Sequence, residues 1–304
     1  MAAGGGTKAI LAAFFANLGL AIAKFVAFAF TGASSMLAEA IHSVADTSNQ
    51  ALLLLGGRLA RRDATALHPF GYGRERYFWS FVVALVLFTV GSLYALYEGI
   101  DKIRHPHEIS SPAWAFGVLS VGIVLEGLSM RTAVIESNRV RGKASWISFV
   151  RRSRTPELPV VLLEDLGALV GLVLALGALM IAVVFDAPVW DGIGTLSIGV
   201  LLGLIAVVLA VEMRSLLIGE GATKADAEAI RGAIESTPGV TGLIHLRTQH
   251  LGPQELLVAA KVGFDPGYST ADLADAINRV EENTRAAVPI ARPMYVEPDI
   301  LTET

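Results

Sequence analysis

The stretch LPVVLLEDLGALVGLVLALGALMIAVV, residues 158–184, carries two adjacent acids and is otherwise almost wholly apolar. A helix needs about 20 consecutive apolar residues to cross the hydrocarbon core of a bilayer. Five further apolar stretches of sufficient length lie at 9–30, 34–55, 77–98, 113–135 and 190–213. The sequence therefore predicts an all-α membrane domain of six transmembrane helices.

The composition supports a membrane protein and narrows the chemistry open to it. Hydrophobic residues make up 53% of the 304 residues, a balance that a water-soluble domain of this size rarely carries. The chain has no cysteine, which excludes disulfides, iron–sulfur clusters, thiolate metal sites and thiol catalysis. Any metal must therefore bind imidazole or oxygen. We interpret the N-terminus as a retained first helix and not as a signal peptide.

Basic residues are concentrated in two of the connections between the predicted spans. The connection between the second and third spans and the one between the fourth and fifth hold Arg58, Arg61, Arg62, Arg74, Arg76, Arg139, Arg141, Lys143, Arg151, Arg152 and Arg154, and the other three connections hold Lys102 and Arg104. Basic connections of this kind face the cytoplasm. We therefore expect a multi-pass protein of the cytoplasmic membrane with both termini in the cytoplasm.

The last part of the chain differs from the rest, since residues 215–304 hold 13 acids against 7 bases. Thr223 and Asp226 form a helix-start signal, and strand-like stretches at 240–250 and 255–264 flank a hairpin connection at 251–254. An amphipathic helix over 269–288 and a strand near 294–297 follow. The order αββαβ predicts a small ferredoxin-like α+β domain at 215–304 behind a membrane domain at 1–214.

Polar residues line one face of the second span. Glu39, His42, Asp46 and Asn49 follow one another at steps of three and four residues, which places them on one side of a helix. An ionisable group at mid-membrane costs about 2.5–3.5 kcal/mol, so such a stripe must face a cavity or a partner. Packing between helices is the alternative role, above all for Glu39 and Asn49.

The fifth span adds Glu164 and Asp165, which are about 100° apart around a helix, so that one is expected to bind and the other to support. Asp46 and Asp165 lie at similar depths, about 13 Å and about 10 Å from the cytoplasmic ends of their spans. With His42 one turn further out, these groups predict a site for one divalent cation. Zinc fits the ligand set, and manganese, cobalt and ferrous iron also fit it.

A further acid, Glu126, lies in the fourth span. It could relay protons or pair with Arg131, and the sequence leaves both roles open.

At this point a family resemblance becomes specific. The pattern SSMLAEAIHSVAD at 34–46, the loop HPFGYGRER at 68–76, the six spans and the αββαβ tail together resemble the cation diffusion facilitator family of metal/proton antiporters. The resemblance covers nearly the whole chain. It implies a homodimer that exports zinc or a similar divalent ion in exchange for protons, holds the ion between the second and fifth helices, and carries no prosthetic group.

Two departures from the family pattern affect the predicted sites. Val161 stands where the family's fifth helix usually carries a ligand, so Glu164 becomes the candidate fourth ligand, as in the branch that resembles zinc transporter nine. In the tail, Tyr295 and Glu297 stand where a histidine and an aspartate are expected, and His245 alone matches a family ligand. We expect the tail to dimerise without a full binuclear zinc site.

Other functions fit the sequence less well. An intramembrane hydrolase or metalloprotease would need an HExxH, GxSxG or paired-aspartate pattern, and the sequence has none, so we do not expect an enzyme. A membrane-anchored metal sensor or scaffold leaves the polar stripe of the second span unexplained. An exporter selective for manganese, iron or cobalt remains an alternative to a zinc exporter, and no nucleic-acid partner is expected.

Overall fold

The computed structural model describes residues 3–31, 34–106 and 112–301, without the side chains of residues 34–42 and of some positions in the first helix. The chain divides into two compact units, one of residues 1–58 and 76–214 and the other of residues 59–75 and 215–304. Among the described residues, seven helices precede the tail: α1 (Ala3–Thr31), α2 (Ser34–Leu59), α3 (Glu75–Arg104), α4 (Pro112–Arg141), α5 (Trp146–Arg152), α6 (Glu157–Val184) and α7 (Val189–Ile218).

The membrane domain is helical throughout its predicted spans. Among the described residues, α3, α4, α6 and α7 are each long and apolar enough to cross a membrane, with mean hydropathies of 1.7 to 2.7. Helices α1 and α2 contain 29 and 26 residues, more than the roughly 20 that a crossing needs. Helix α2 is less apolar because it carries the polar stripe. The predicted fold class, a helical membrane domain followed by a small α/β domain, is confirmed.

Helix α7 illustrates how one helix serves both lipid and core. Val200, Leu204, Val207 and Val211 are exposed and recur at steps of four, three and four residues, so they form one face. The opposite face is buried in the core of the membrane domain, where it contributes Leu202, Ile205, Ala206 and Leu209. Exposed apolar residues in this register are suited to contact lipid.

Helices α3 and α7 approach each other closely through small residues. Ser92 Oγ donates a hydrogen bond of 2.8 Å to the Gly199 carbonyl. A Cβ atom at Gly99 would lie 2.5 Å from the Leu196 nitrogen, so this contact requires glycine. Such backbone contact is typical of helices that pack in membranes, where apolar burial itself gives no driving force. Residues Leu87–Leu93 of α3 form a π-helical stretch within this contact region.

Ion pairs fix both ends of α3. Near its start, Arg76 pairs with the buried carboxylate of Glu157 at the beginning of α6. Near its end, Lys102 Nζ lies 2.9 Å from Asp191 Oδ2 in the first turn of α7. The two pairs hold α3 in register against its neighbours.

The tail consists of α8 (Lys224–Glu235), β1 (Val240–Gly252), β2 (Glu255–Phe264), α9 (Thr270–Ala287) and β3 (Met294–Asp299). Strand β2 is central: β1 pairs with it antiparallel and β3 parallel. The antiparallel pair needs only the turn at residues 253–254, whereas the parallel pair needs α9 as its crossover. The αββαβ order predicted from the sequence is confirmed.

One face of the sheet is covered and the other is open. Buried apolar residues of β2, namely Leu256, Val258, Ala260, Val262 and Phe264, form a core with Ile230, Ile234, Ala276 and Val280 of the two helices. On the open face, Lys261 Nζ lies 3.0 Å from Glu297 Oε1 and 2.9 Å from Asp299 Oδ2. This ion-pair cluster joins β2 to β3.

Candidate metal-binding site

Four carboxylates from three helices lie together inside the membrane domain. Asp46 comes from α2, Glu126 from α4, and Glu164 and Asp165 from α6; we refer to these four residues as the acid cluster. Glu164 interacts electrostatically with each of the other three, and Asp165 interacts with Glu126 and Asp46. Glu164 is 6% exposed and Asp165 3%. Like charges that interact in a buried site need protons or a bound cation to balance them.

Both carboxylate oxygens of Glu164 accept hydrogen bonds from α2. Asn49 Nδ2 donates to Oε1 over 2.8 Å, and Gln50 Nε2 donates to Oε2 over 3.1 Å. All three side chains are buried. This amide bracket, Asn49 and Gln50 around Glu164, ties α2 to α6 beside Asp46.

The bracket extends to the first helix. Asn17 Nδ2 of α1 lies 3.5 Å from Gln50 Oε1, at the outer limit of a hydrogen bond, and Asn17 is itself buried. A chain of side-chain amides thus leads from α1 through α2 to the carboxylate of Glu164. Buried polar chains of this kind specify which helices meet.

Asp165 is held from a different helix. Ser129 Oγ of α4 donates a hydrogen bond of 2.9 Å to Asp165 Oδ2. The adjacent acids of α6 therefore turn to different neighbours, Glu164 to α2 and Asp165 to α4, as follows from their separation of about 100° around the helix. Glu126 lies three residues before Ser129 on α4, on the same side of that helix.

His42 belongs to α2, one turn before Asp46. Its side chain lies outside the described residues, as does that of Glu39. Within the side chains that are described, no three histidine, aspartate or glutamate groups stand close enough to hold a metal ion without rearrangement. Of the predicted ligands, the structure thus brings Asp46, Glu164 and Asp165 into one neighbourhood and engages the latter two with hydrogen-bond donors.

One buried atom in this neighbourhood lacks a partner among the described residues. Asn49 is 2% exposed, and its Oδ1 atom accepts no hydrogen bond there, although its Nδ2 atom holds Glu164. An unsatisfied buried carbonyl oxygen is costly. The same oxygen can also coordinate a hydrated or partly hydrated cation.

The sequence did not identify Gln50, Asn17 or Ser129 as parts of the site. Each is a polar side chain inside an apolar stretch, which is a signal that could have found them. What the sequence lacks is the pairing, because the partner helix of a lone amide or hydroxyl cannot be derived from its own position. Glu126, whose role the sequence left open, belongs to the acid cluster.

In the tail, the positions singled out in the sequence lie on the open face of the sheet. His245 of β1 is opposite Lys261 of β2, and Glu297 of β3 is next to the same lysine. The Lys261 ammonium group contacts Glu297 and Asp299 directly. A fixed cation therefore occupies the space between these carboxylates.

Comparisons with known proteins decide the family. The family model described as "Cation efflux transmembrane domain" matches residues 10–218, and the one described as "Cation efflux protein, cytoplasmic domain" matches residues 222–298. The chain belongs to the cation efflux family. The resemblance to the cation diffusion facilitator family, inferred from the pattern at 34–46, the loop at 68–76, the six spans and the αββαβ tail, is thereby confirmed.

Individual relatives within the cation efflux family agree. A "Proton-coupled zinc antiporter SLC30A9, mitochondrial" from Xenopus laevis is 34% identical over 245 residues, which cover 80% of this chain and 44% of that protein. The magnetosome protein MamB from Magnetospira sp. is 25% identical over 286 residues, 93% of this chain and 92% of MamB. This chain spans less than half the length of the SLC30A9 relatives it matches.

A structural comparison concerns the tail alone. A solved structure of a MamM-CTD variant has 26% sequence identity and covers 26% of this chain and 95% of its own, with a TM-score of 0.25. The family assignment rests on the family models and the sequence relatives.

Proposed function

We propose that this protein is a secondary active transporter that exports divalent metal cations, zinc in the first place, from the cytoplasm in exchange for protons. The observation that carries the proposal is the acid cluster, four carboxylates brought together by α2, α4 and α6 inside a membrane domain. A relative that covers 80% of the chain is described as a proton-coupled zinc antiporter, which supports both the cargo and the counter-ion.

The proposed ligands are His42, Asp46, Glu164 and Asp165. A ligating imidazole must be neutral and a ligating carboxylate ionised, so the arrival of a divalent cation releases protons from the site. Protons and metal therefore compete for the same lone pairs. Acid weakens metal binding, and protons that return through the empty site complete the exchange.

The hydrogen bonds around the acids link the proposed ligands to neighbouring helices. Each carboxylate oxygen of Glu164 accepts one hydrogen bond from the amide bracket, and Asp165 accepts one from Ser129. A cation that binds these carboxylates competes with those donors for their oxygens. Displacement of the bracket would free α6 to move relative to α2. Alternating access of the site to the two sides of the membrane follows from such a movement.

We further propose a homodimer in the cytoplasmic membrane with both termini in the cytoplasm. The basic connections after α2 and α4 support this orientation through the positive-inside rule. The tail supports the dimer, since it matches the family's cytoplasmic domain. No enzymatic step is part of the proposal.

The main alternative is a membrane-anchored metal sensor or scaffold that does not transport. Calorimetry on the purified full-length chain, with and without the substitution His42→Ala, separates the two proposals. Stoichiometric binding that the substitution weakens supports a site in the membrane domain, and absence of binding leaves the scaffold. Binding without flux in vesicles would identify a sensor.

The choice of metal needs a transport assay. Reconstituted vesicles are challenged separately with zinc, manganese, cobalt, ferrous iron and nickel while an internal dye records pH. We expect zinc to give the largest metal-dependent pH change. A larger response to manganese, iron or cobalt would still support a transporter but would identify that metal, and not zinc, as its cargo.

A further inference from the structure

The connection between α4 and α6 combines strong positive charge with an exposed apolar helix. Residues 137–156 contain no acid, and their cations are Arg139, Arg141, Lys143, Arg151, Arg152 and Arg154. Because α4 and α6 are membrane-spanning helices, the connection joins two ends that emerge from the same side of the bilayer. It therefore lies at the boundary between hydrocarbon and water.

Acids from outside the connection pair with some of its cations. Arg139 contacts Glu136 one turn earlier on α4, at 2.5 Å. Arg151 Nε lies 3.6 Å from Glu212 Oε1 of α7, and the arginine side chain remains 71% exposed. Both pairs leave much of each guanidinium group accessible.

Lys143 lies three residues before α5 and Arg152 is the last residue of α5, and both are exposed. No ion pair joins either of them to another residue in the part of the chain that the structure describes. They supply two positive charges that are open to a ligand. A compact anion with several acceptor oxygens is the chemistry that such groups recognise.

Helix α5 is amphipathic in a particular way. Ser145 caps its start by accepting a hydrogen bond from the Ser148 backbone, and Phe149 anchors it in the core with 5% of its surface exposed. On its outer side, Trp146 is 38% and Ile147 74% exposed. An isoleucine so exposed in water would be unfavourable, whereas at a membrane surface it can enter the lipid.

An aromatic contact brings the charge and the apolar side together. The Arg141 guanidinium group lies 4.2 Å from the centroid of the Trp146 ring. Ile147 and Arg151 are four residues apart on α5 and so lie on the same face. Tryptophan is enriched at the headgroup level of membranes because its ring is apolar and its nitrogen donates. The surface thus presents arginine side chains next to exposed apolar ones.

We propose that α5, which ends with the exposed Arg152, forms together with Lys143 a binding surface for the headgroups of anionic phospholipids. The phosphate and the second acidic or hydroxyl group of the headgroup contact the cations, and the acyl chains contact Ile147 and Trp146. The charge is complementary to an anionic leaflet, and Ile147 and Trp146 provide exposed apolar surface beside it. This lipid-binding surface depends only on the membrane domain being in a bilayer. It does not depend on whether the protein transports metal or in which direction.

The test measures lipid retained by the purified full-length protein. The protein is equilibrated with equal amounts of phosphatidylglycerol and phosphatidylcholine in detergent, and native mass spectrometry counts the bound molecules of each. We compare the wild type with the double substitution Lys143→Gln and Arg152→Gln. Each cation near an anionic surface is worth a factor of about five in affinity, so the double variant should lose most of its preference for phosphatidylglycerol.

A matched control removes the same charge elsewhere. Arg61 and Arg62 are exposed in the other basic connection, and the double substitution to Gln there should leave the preference unchanged. Ile147→Ser should weaken retention without any change in charge. Equal losses in the two charge variants would reduce the effect to overall charge and overturn the proposal, as would no loss in the first.

A third outcome would also overturn it. If the Lys143 and Arg152 variant retains its lipid but dissociates on gel filtration, the surface binds a second copy of the chain. Thermal unfolding of each variant in detergent confirms that it is folded before lipids are counted.

Discussion

Exchanging the carboxylate of Glu164 with the amide of Gln50 separates the role of Glu164 as a ligand from its role in holding helices together. In Glu164→Gln, the new amide nitrogen replaces an oxygen that now accepts from Asn49 at 2.8 Å or from Gln50 at 3.1 Å. Two donors then face each other, and one hydrogen bond is lost. The reverse substitution Gln50→Glu in the same chain restores a donor opposite an acceptor.

The expected loss of stability follows from that single hydrogen bond. Side-chain hydrogen bonds between membrane helices contribute about 0.6 kcal/mol on average and up to about 1.7 kcal/mol. The Glu164 bonds are buried and join a carboxylate to amides, so we expect the single variant to lose about 1 to 2 kcal/mol. The double variant should recover most of this, because Asn17 can still donate to the new oxygen at residue 50.

Unfolding in mixed micelles measures the stability, and vesicle flux measures transport, for the wild type, both single variants and the double variant. If Glu164 is a metal ligand, the double variant regains stability but not transport, because its carboxylate now belongs to α2. Recovery of transport together with stability would refute the ligand role and leave Glu164 a helix contact. If none of the variants is less stable than the wild type, the amide bracket does not hold the helices together.

Three further predictions follow from other parts of the fold. Asp165→Asn keeps an oxygen to accept from Ser129 and should remain folded, yet flux assays in vesicles should find no metal transport. In the tail, hydrogen bonds to Asp299 and Glu297 raise the pKa of Lys261 above 10.5, and the bond to Lys261 lowers the pKa of Asp299 below 3.8. The ion pair therefore stabilises the fold between pH 3.8 and 10.5, the ordinary pKa values of the two groups. Its contribution is lost as pH falls through the lowered pKa of Asp299 or rises through the raised pKa of Lys261. Lys261→Met should therefore be destabilising in urea unfolding at neutral pH but not in strong acid. In the membrane domain, Gly99→Ala should lower the thermal unfolding temperature in detergent because its Cβ would meet the Leu196 backbone at 2.5 Å, whereas Gly117→Ala, with nothing within 4 Å, should not.

The tail is the part of the fold that the sequence predicted in most detail, because its signals are local. Thr223 accepts a hydrogen bond from the Asp226 backbone at the start of α8. Ser269 and Asp272 form a complete capping box at the start of α9. The turn at residues 253–254 sets the register of β1 against β2. Each of these features is read from a few neighbouring residues and needs no knowledge of distant contacts.

The membrane domain was predictable in its helices but not in their contacts. Apolar length alone marks the spans, yet it does not say which helix faces which, since lipid and helix surfaces are equally apolar. The sequence placed Asp46 and Asp165 at similar depth from residue counts. It could not place Ser129 against Asp165 or Gln50 against Glu164, because these contacts depend on helix rotation.

Two local features also went unpredicted. Helix α5 has only 7 residues, too few to establish a helical period, and it was read as part of a basic connection. The π-helical stretch at Leu87–Leu93 changes the rotation of the second half of α3 without a distinctive residue pattern. Neither feature has a local residue pattern from which it could be predicted.

The most direct test of metal export driven by protons is flux under an imposed pH gradient. Vesicles that contain the wild type or Asp46→Asn are loaded with zinc, and the efflux of zinc is followed with and without an opposing proton gradient. The proposed mechanism predicts that, with the wild type, the gradient accelerates zinc efflux and protons enter as zinc leaves. Vesicles with Asp46→Asn should show neither the accelerated efflux nor the proton entry. Zinc efflux from the wild type that ignores the gradient would contradict proton coupling and leave a facilitator or channel.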